Sequence, residues 1–591
     1  MLQNTDNLKW EMYDFLRSEL DIASCYKTVL AASVIIYLTE TEYDEKAVLT
    51  KSEEIIQESL SKISDPEIKK FVIENFADSS KYPNNRFFLK RFLSNNVKKN
   101  IAQFIADFNI DEEVGRRGEI IETPRGVATL AAKFLDIQNS DEVGDMFCGT
   151  FGFIAEAEKL NSHAKYTGYE INYELYLISK IRSFILGENT SVIQKDLVCT
   201  PEERFDKIFC DGPMIPLEVI KNNFELNMTS EWRIGLLLSS NSTKLATWPL
   251  PLSMMDYLKE GGRACFVMPF GFLSTSIASS IRNIMLGFDS AYPNFAFIEG
   301  IVELPENTYS GTGVKFCLLI LSKKKNKSIR IVNASDFRTL NRRKKSVITN
   351  DYINQIIDCY KNDSKYSKSI SYEEIIKGNS DLVPAMYLAP KINFHNPTVR
   401  LVDIVAISRG AQLLSSELEL ITSEEKTNVR YLMLGNIQDG TIDGTLPYLK
   451  SGKENKFKSA IIDKKTLLIQ KNGFPLKIAV VNASKENQFL ISGNLFMLIP
   501  NESKVNVYYL KAFFESKIGQ ELLQRISRGT TIPTINMSAL ENLEIPLPPI
   551  EKQNLIEKKY LEKEAVVKEL KEKLSIAKKE IGRVLEAEMG V

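Results

Sequence analysis

Val143-Gly144-Asp145-Met146-Phe147-Cys148-Gly149-Thr150-Phe151-Gly152-Phe153 is the stretch on which the reading of the fold turns. It sits where a first strand should give way to a helix. Glycines at such a turn let the backbone approach a ligand with no Cβ in the way. Asp145, at the end of the apolar run, can take a cationic or donor-rich group. Alone, the loop is weak evidence, because many nucleotide-binding folds carry one. The full Gly-x-Gly-x-x-Gly of a dinucleotide site is missing here.

Working outward, short apolar runs such as Lys207-Ile208-Phe209-Cys210 and Ala264-Cys265-Phe266-Val267-Met268 alternate with helical patterns from about Asp111 to Leu321. Glycines mark the joins. That texture predicts strand–helix alternation around a parallel sheet. Carboxylates recur at the ends of the runs. Glu170 follows Thr167-Gly168-Tyr169, where an acid accepts hydrogen bonds from two ribose hydroxyls. Asp196 follows Gln194-Lys195, where it can accept from an adenine amino group. Asp211 closes the series. Taken singly, each reads as a capping or surface acid; their order gives them weight.

The ordered set resembles the adenine-N6 DNA methyltransferases of the type I restriction-modification class. Their first motif, Asp-Pro-x-Cys-Gly-Ser/Thr-Gly-Gly-Phe, is matched at Asp145, Cys148, Gly149, Thr150, Gly152 and Phe153. Thr123-Pro124-Arg125 resembles the Thr-Pro segment that the family carries beside its cofactor. Leu258 to Arg263, Met268 to Leu273 and Ile301 to Pro305 resemble its later strands, so the likeness covers about Gly118 to Ser322. The resemblance implies S-adenosyl-L-methionine as cofactor, held by Thr123, Pro124, Asp145, Cys148, Gly149, Thr150, Gly152, Glu170 and Asp196. Two positions depart from the pattern. Met146 replaces a proline and Phe151 a glycine, and a bulky side chain at 151 is expected to narrow the pocket beside the methionine portion of the cofactor.

Asp211-Gly212-Pro213-Met214 stands where the family has its catalytic Asn/Asp-Pro-Pro-aromatic tetrapeptide. There the side-chain oxygen and the first proline's carbonyl accept hydrogen bonds from the adenine amino group, and the ring stacks on the flipped base. Catalysis of this kind is positioning and electrostatics. Asp211 keeps an acceptor and Gly212 a carbonyl; Pro213 keeps one rigid residue, whereas Gly212 loosens the turn. Met214 offers a thioether where a ring would be worth roughly 1–3 kcal/mol of stacking. Losing that contact slows an enzyme by about one to two powers of ten. Read without the family, Asp211-Gly212-Pro213 is a turn after a strand.

Residues from about Val399 are β-rich, with turns at Asp439-Gly440, Asp443-Gly444 and Asn472-Gly473. Ile407-Ser408-Arg409-Gly410, Gly435 to Gly440, Gly529 to Ile535 and Ile545-Pro546-Leu547-Pro548-Pro549 resemble one target-recognition domain of a type I specificity subunit. That resemblance implies DNA reading, with Arg409, Lys471, Arg525 and Arg528 as candidate contacts; each alone reads as an ordinary surface charge. The helix that follows carries an a/d seam of Val567, Leu570, Leu574, Ala577, Ile581 and Val584. Such a seam calls for a partner, either its own body or a second chain.

The expected layout is an N-terminal helical domain (1–110) and an α/β Rossmann-like methyltransferase domain (111–325). A connecting region (326–398), a mixed, β-rich target-recognition domain (399–550) and a coiled-coil-like spacer or dimerisation helix (551–591) follow. With 75 basic and 76 acidic side chains, no global field attracts nucleic acid, so a DNA surface must be a local basic face. Seven scattered cysteines and two distant histidines argue against a metal site and for reduced thiols in a cytoplasm. No membrane span is expected. No nuclease signature or Walker loop is evident, so cleavage would fall to a separate restriction subunit. The expected function is sequence-specific adenine-N6 methylation of double-stranded DNA, with activity weakened by the altered tetrapeptide. The rivals are a catalytically silent DNA-binding protein on the same fold, with a regulatory or defence role, and a structural coiled-coil adaptor, which leaves the ordered motifs unexplained.

Overall fold

The computed structural model describes residues 8, 11–16, 20, 22–93, 95–107, 122–195, 203–212, 250–275, 278–288, 297–309, 312–341, 344–378, 380–389, 392, 394–528 and 533–589. They form two compact units, residues 1–388 and 389–591. Among them no helix is long and apolar enough to cross a membrane, and no group of His, Cys, Asp or Glu has the arrangement of a metal site.

The first unit begins with helices α1 (Ile22–Leu38), α2 (Glu45–Ser61), α3 (Pro66–Val72), α4 (Asn85–Phe92) and α5 (Asn95–Ala106). Asp44 and Asp65 cap α2 and α3 by accepting from first-turn amides, which are otherwise unsatisfied. The apolar faces of these helices do not close a core alone. They share one with Leu175, Ile178 and Ile181 of a later helix, α8 (Tyr173–Leu186). The expected division near residue 110 is therefore one of sequence texture, not of packing.

α6 (Arg125–Leu135) leads into a nine-stranded sheet. Its strands are β1 (Glu142–Asp145), β2 (Lys165–Glu170), β3 (Thr190–Gln194), β4 (Phe205–Cys210), β5 (Leu258–Pro269), β6 (Ile298–Glu303), β7 (Phe316–Ser322), β8 (Ser328–Asn333) and β9 (Ser367–Ser371). Their order is β9-β8-β6-β7-β5-β4-β1-β2-β3. β1 pairs in parallel with both β2 and β4, so the strand order reverses there. That reversal opens a crevice at the carboxyl ends, where open α/β sheets bind ligands. β7 runs antiparallel between β5 and β6. All of its residues are buried, as a strand covered on both faces requires.

β8 and β9 come from the expected connecting region 326–398, which the structure corrects. Ile329, Ile331, Val332 and Ile370 are fully buried, so this segment completes the sheet rather than linking two domains.

The second unit contains two main sheets. Strands β10 (Val405–Arg409), β11 (Thr422–Ser423), β12 (Val429–Leu432), β13 (Tyr448–Leu449), β14 (Ile461–Ile462), β15 (Thr466–Gln470), β16 (Ile478–Val481), β17 (Gln488–Ile491) and β18 (Leu495–Pro500) pair in the orders β10-β18-β15-β16 and β11-β13-β12-β17-β14. Helices α9 (Val507–Glu515) and α10 (Lys517–Ile526) pack beside them. α11 (Ile550–Met589) is one uninterrupted helix. Its first turns are tied to its own unit. Gln553 accepts from the Asn506 amide at 2.9 Å, Glu557 from the Asn506 side chain at 2.7 Å, and Glu564 pairs with the buried Lys511. Farther along, Val567, Leu570, Leu574 and Ile581 are exposed. The helix is thus docked on its own unit over its first turns and carries exposed apolar side chains beyond them.

Candidate active site

The carboxylates that the sequence orders along the chain come together at the carboxyl edge of the sheet. Asp145 ends β1, Glu170 ends β2 and Asp211 follows β4, so they flank the reversal point. Backbone bonds hold the loop between them: the Met146 amide donates to Phe209 and the Cys148 amide to Tyr169. Gly149 adopts the left-handed φ of 53°, and a Cβ there would meet nothing within 4 Å. Its role is conformational, and open space lies before it.

Glu170 accepts from the Gly149 amide at 3.0 Å through one oxygen and from the Asn172 amide at 2.7 Å through the other. Asn172 caps α8 in turn, accepting from the amides of Glu174 and Leu175. The Ser179 hydroxyl, one helical face over, donates to the Gly149 carbonyl at 2.6 Å. The carboxylate is thus fixed toward the loop with lone pairs to spare.

Asp145 is 1% exposed, and its Oδ1 is buried without a hydrogen-bond partner. A buried orphan acceptor is costly unless a ligand meets it. Burial raises its pKa well above the ordinary carboxylate value, and the charges of Asp211 and Glu170 push the same way. Glu170 is also raised, chiefly by burial. Three acids converging in low dielectric favour a cationic ligand. An orphan acceptor, a carboxylate with free lone pairs and an open glycine turn fit the ammonium, ribose and sulfonium portions of S-adenosyl-L-methionine.

Asp211 is held by two hydroxyls. Thr123 Oγ1 donates to its Oδ2 at 2.6 Å and Tyr309 Oη to the same oxygen at 2.7 Å. Burial lifts its pKa to about 6 despite these bonds, which favour the ionised form. Tyr309 is buried, with its ring 4.5 Å from that of Phe316. Thr123 thus engages the catalytic candidate, while its neighbours anchor the loop. Pro124 opens α6, and Glu122 accepts from the Thr150 hydroxyl. The buried Arg182 donates to the Thr150 carbonyl at 2.5 Å and lies 3.7 Å from Glu122, so one cation ties the Thr-Pro segment to the cofactor loop.

The two departures from the family pattern do not enter the pocket. Phe151 takes a left-handed φ of 75°, and its ring is fully buried in the core beside Phe153 and Tyr166. Met146 is fully buried among Phe205, Ile208 and their neighbours. The expectation that Phe151 narrows the pocket is therefore corrected: apolar surface buries itself in the core rather than facing a polar cleft.

The chain belongs to the N-6 DNA methylase family. The family profile described as N-6 DNA Methylase matches residues 100–395, half of the chain, and one described as type I restriction modification DNA specificity domain matches residues 396–572. The chain is 23% identical over 306 residues to the type I restriction enzyme MpnII methylase subunit of Mycoplasma pneumoniae, covering 47% of this chain and 54% of that one. It is 31% identical over 147 residues to a putative type I restriction enzyme MjaX specificity subunit of Methanocaldococcus jannaschii, covering 24% and 34%. The matches thus span about half and about a third of those relatives' lengths. The type I methyltransferase subunit from Streptococcus thermophilus superposes with a TM-score of 0.49 at 17% identity, covering 65% of this chain and 98% of that one.

Set against this family member's sequence, Asp145, Cys148, Gly149, Thr150, Gly152, Glu170, Thr123, Pro124, Asp211 and Gly212 are the expected site residues that the structure describes. Asp196, Pro213 and Met214 lie outside the described residues. Sequence reading passed over Tyr309, Glu122 and Arg182. Tyr309 lies in the loop after β6, which ends at Glu303, and no local pattern marks it.

In the second unit Arg409 and Lys471 converge on one turn. Arg409 Nε donates to the Gly493 carbonyl at 3.0 Å, and the Lys471 amide donates to the Asn494 carbonyl at 2.8 Å. Burial and then the Arg409 charge lower the Lys471 pKa. Two like charges near each other favour an anion between them. Arg525 instead pairs with Glu521 on its own helix at 2.5 Å. The Arg528 backbone pairs with Thr534, and its side chain lies outside the described residues.

Proposed function

We propose that this protein is a sequence-specific DNA adenine-N6 methyltransferase that uses S-adenosyl-L-methionine. The observation that carries the reading is the fixed Asp211 carboxylate at the same sheet edge as the orphaned Asp145 Oδ1. When bound, the cofactor supplies an electrophilic methyl group on a sulfonium. Asp145 receives its ammonium and Glu170 its ribose hydroxyls. Asp211 Oδ1 and the Gly212 carbonyl accept from the amino group of an adenine swung out of the duplex, which turns the nitrogen lone pair toward the methyl. The chain's contribution is orientation in a low-dielectric crevice.

The layout supporting this reading is a methyltransferase unit followed by one recognition domain, with Arg409 and Lys471 as its phosphate contacts. The open stripe of Val567, Leu570, Leu574 and Ile581 on α11 suits pairing with the same helix of a second copy, giving a two-part DNA site. A separate restriction or specificity subunit would supply any function beyond methylation.

Incubation with radiolabelled S-adenosyl-L-methionine and DNA of broad sequence content tests the activity. Incorporation that vanishes in Asp211→Ala supports it. Tight DNA binding with no incorporation, and no cofactor binding by calorimetry, refutes it in favour of a silent DNA-binding protein.

A further inference from the structure

We infer that Tyr309 is a positioning residue: its hydroxyl, together with that of Thr123, clamps one oxygen of Asp211 so that the other faces the adenine amino group. The inference rests on the methyltransferase reading. Both donors converge on Oδ2, at 2.7 Å and 2.6 Å, from opposite sides of Asp211 in the sequence. A carboxylate rotates freely about its last bond unless such contacts fix it. Two donors on Oδ2 leave Oδ1 as the acceptor for substrate.

The clamp answers a specific loss. Gly212 stands where the resembling enzymes have a proline, and a glycine there removes stiffness from the turn that carries the carboxylate. The surroundings restore part of it. A Cβ on residue 212 would stand 2.8 Å from Leu250 Cδ1 and 3.4 Å from the Phe147 ring, so these side chains wall the glycine in. The hydroxyls then fix the side chain itself. Tyr309 is well suited to this, because it is 4% exposed and its ring is set against Phe316. A donor mounted on a packed ring has few other places to point.

The clamp also makes Asp211 usable as an acceptor. Burial alone favours the protonated acid, and hydrogen bonds to the ionised form oppose it. Removing one donor therefore weakens the ionised form as well as its orientation.

The test is Tyr309→Phe, which keeps the ring and deletes the donor. The kcat at pH 8 is expected to fall roughly tenfold with KM for the cofactor little changed, as for loss of one charge-assisted hydrogen bond. The acid limb of the pH–rate profile should move to higher pH. A second readout is independent of turnover: the infrared band of a protonated carboxyl, assigned by its absence in Asp211→Asn, is titrated in both proteins. It should titrate near 6 in the wild type and higher in Tyr309→Phe. An unchanged midpoint overturns the inference, whether or not the protein methylates DNA. If the wild type transfers no methyl group, the functional reading fails and the infrared titration still decides the role of Tyr309.

Discussion

The ring of Phe151 lies against Gly168 so closely that a Cβ on residue 168 would stand 2.8 Å from Phe151 Cε2. The two residues exchange volume. A phenylalanine in the cofactor loop is accommodated because the neighbouring strand offers a glycine, and the ring is thereby drawn into the core.

Phe151→Gly should therefore destabilise the protein without improving cofactor binding. The cavity costs about 3–5 kcal/mol. Relief of the left-handed backbone at φ 75° returns about 1 kcal/mol. Urea denaturation should show a net loss of about 3 kcal/mol, and calorimetry an unchanged cofactor affinity. A clear gain in affinity would place the ring in the pocket after all.

Cofactor affinity should rise with pH. Asp145, Glu170 and Asp211 all have raised pKa values in the free protein, and a cation among them favours their ionised forms. Binding at low pH must therefore expel protons and is weaker, and the affinity climbs as pH rises through these raised pKa values. Calorimetry in two buffers of different ionisation enthalpy measures the proton release directly, and a flat profile across about pH 5 to 8 would count against the acidic pocket.

Asp211→Asn should gain stability over the wild type as pH rises. The folded-state pKa of about 6 exceeds the ordinary 3.8, so the folded state holds the proton more tightly than the unfolded one. That advantage is complete below the ordinary value and is lost as pH rises through 6. Asparagine does not ionise, so the variant should exceed the wild type at pH 8 by up to about 3 kcal/mol and match it below about pH 4. Thermal melts across this range decide it.

The two halves of α11 should respond differently to substitution. Glu564→Ala removes the nearer of two carboxylates, Glu564 and Glu515, from a lysine that is 2% exposed and should cost the second unit about 3 kcal/mol. Replacing Leu570 and Leu574 with Lys should leave unfolding unchanged while abolishing any dimer in sedimentation, since both are exposed. A dimer that survives would exclude the helix stripe as its interface.

Arg409→Ala and Lys471→Ala should each weaken DNA binding across all sequences and lower the salt slope of log Kd by about 1. Loss confined to one sequence would instead make the residue a base reader. Arg525→Ala should do neither, because Arg525 pairs with Glu521.

The strand–helix alternation, the acids at strand ends and the change to a β-rich second unit were legible in the sequence, because alternation and glycine turns are local signals. The membership of residues 328–371 in the sheet was not, since β8 and β9 find their partners through pairings invisible in a polar stretch. The site divides in the same way. Sequence alone singled out the candidate side chains: Asp145, Glu170 and Asp211 stand at the ends of apolar runs, and strand direction puts those ends on one edge. Tertiary structure alone decided what surrounds them. Where Phe151 points, which oxygen of Asp211 is held, and that Tyr309 holds it from 98 residues away all depend on packing between distant segments, and packing leaves no period in the chain.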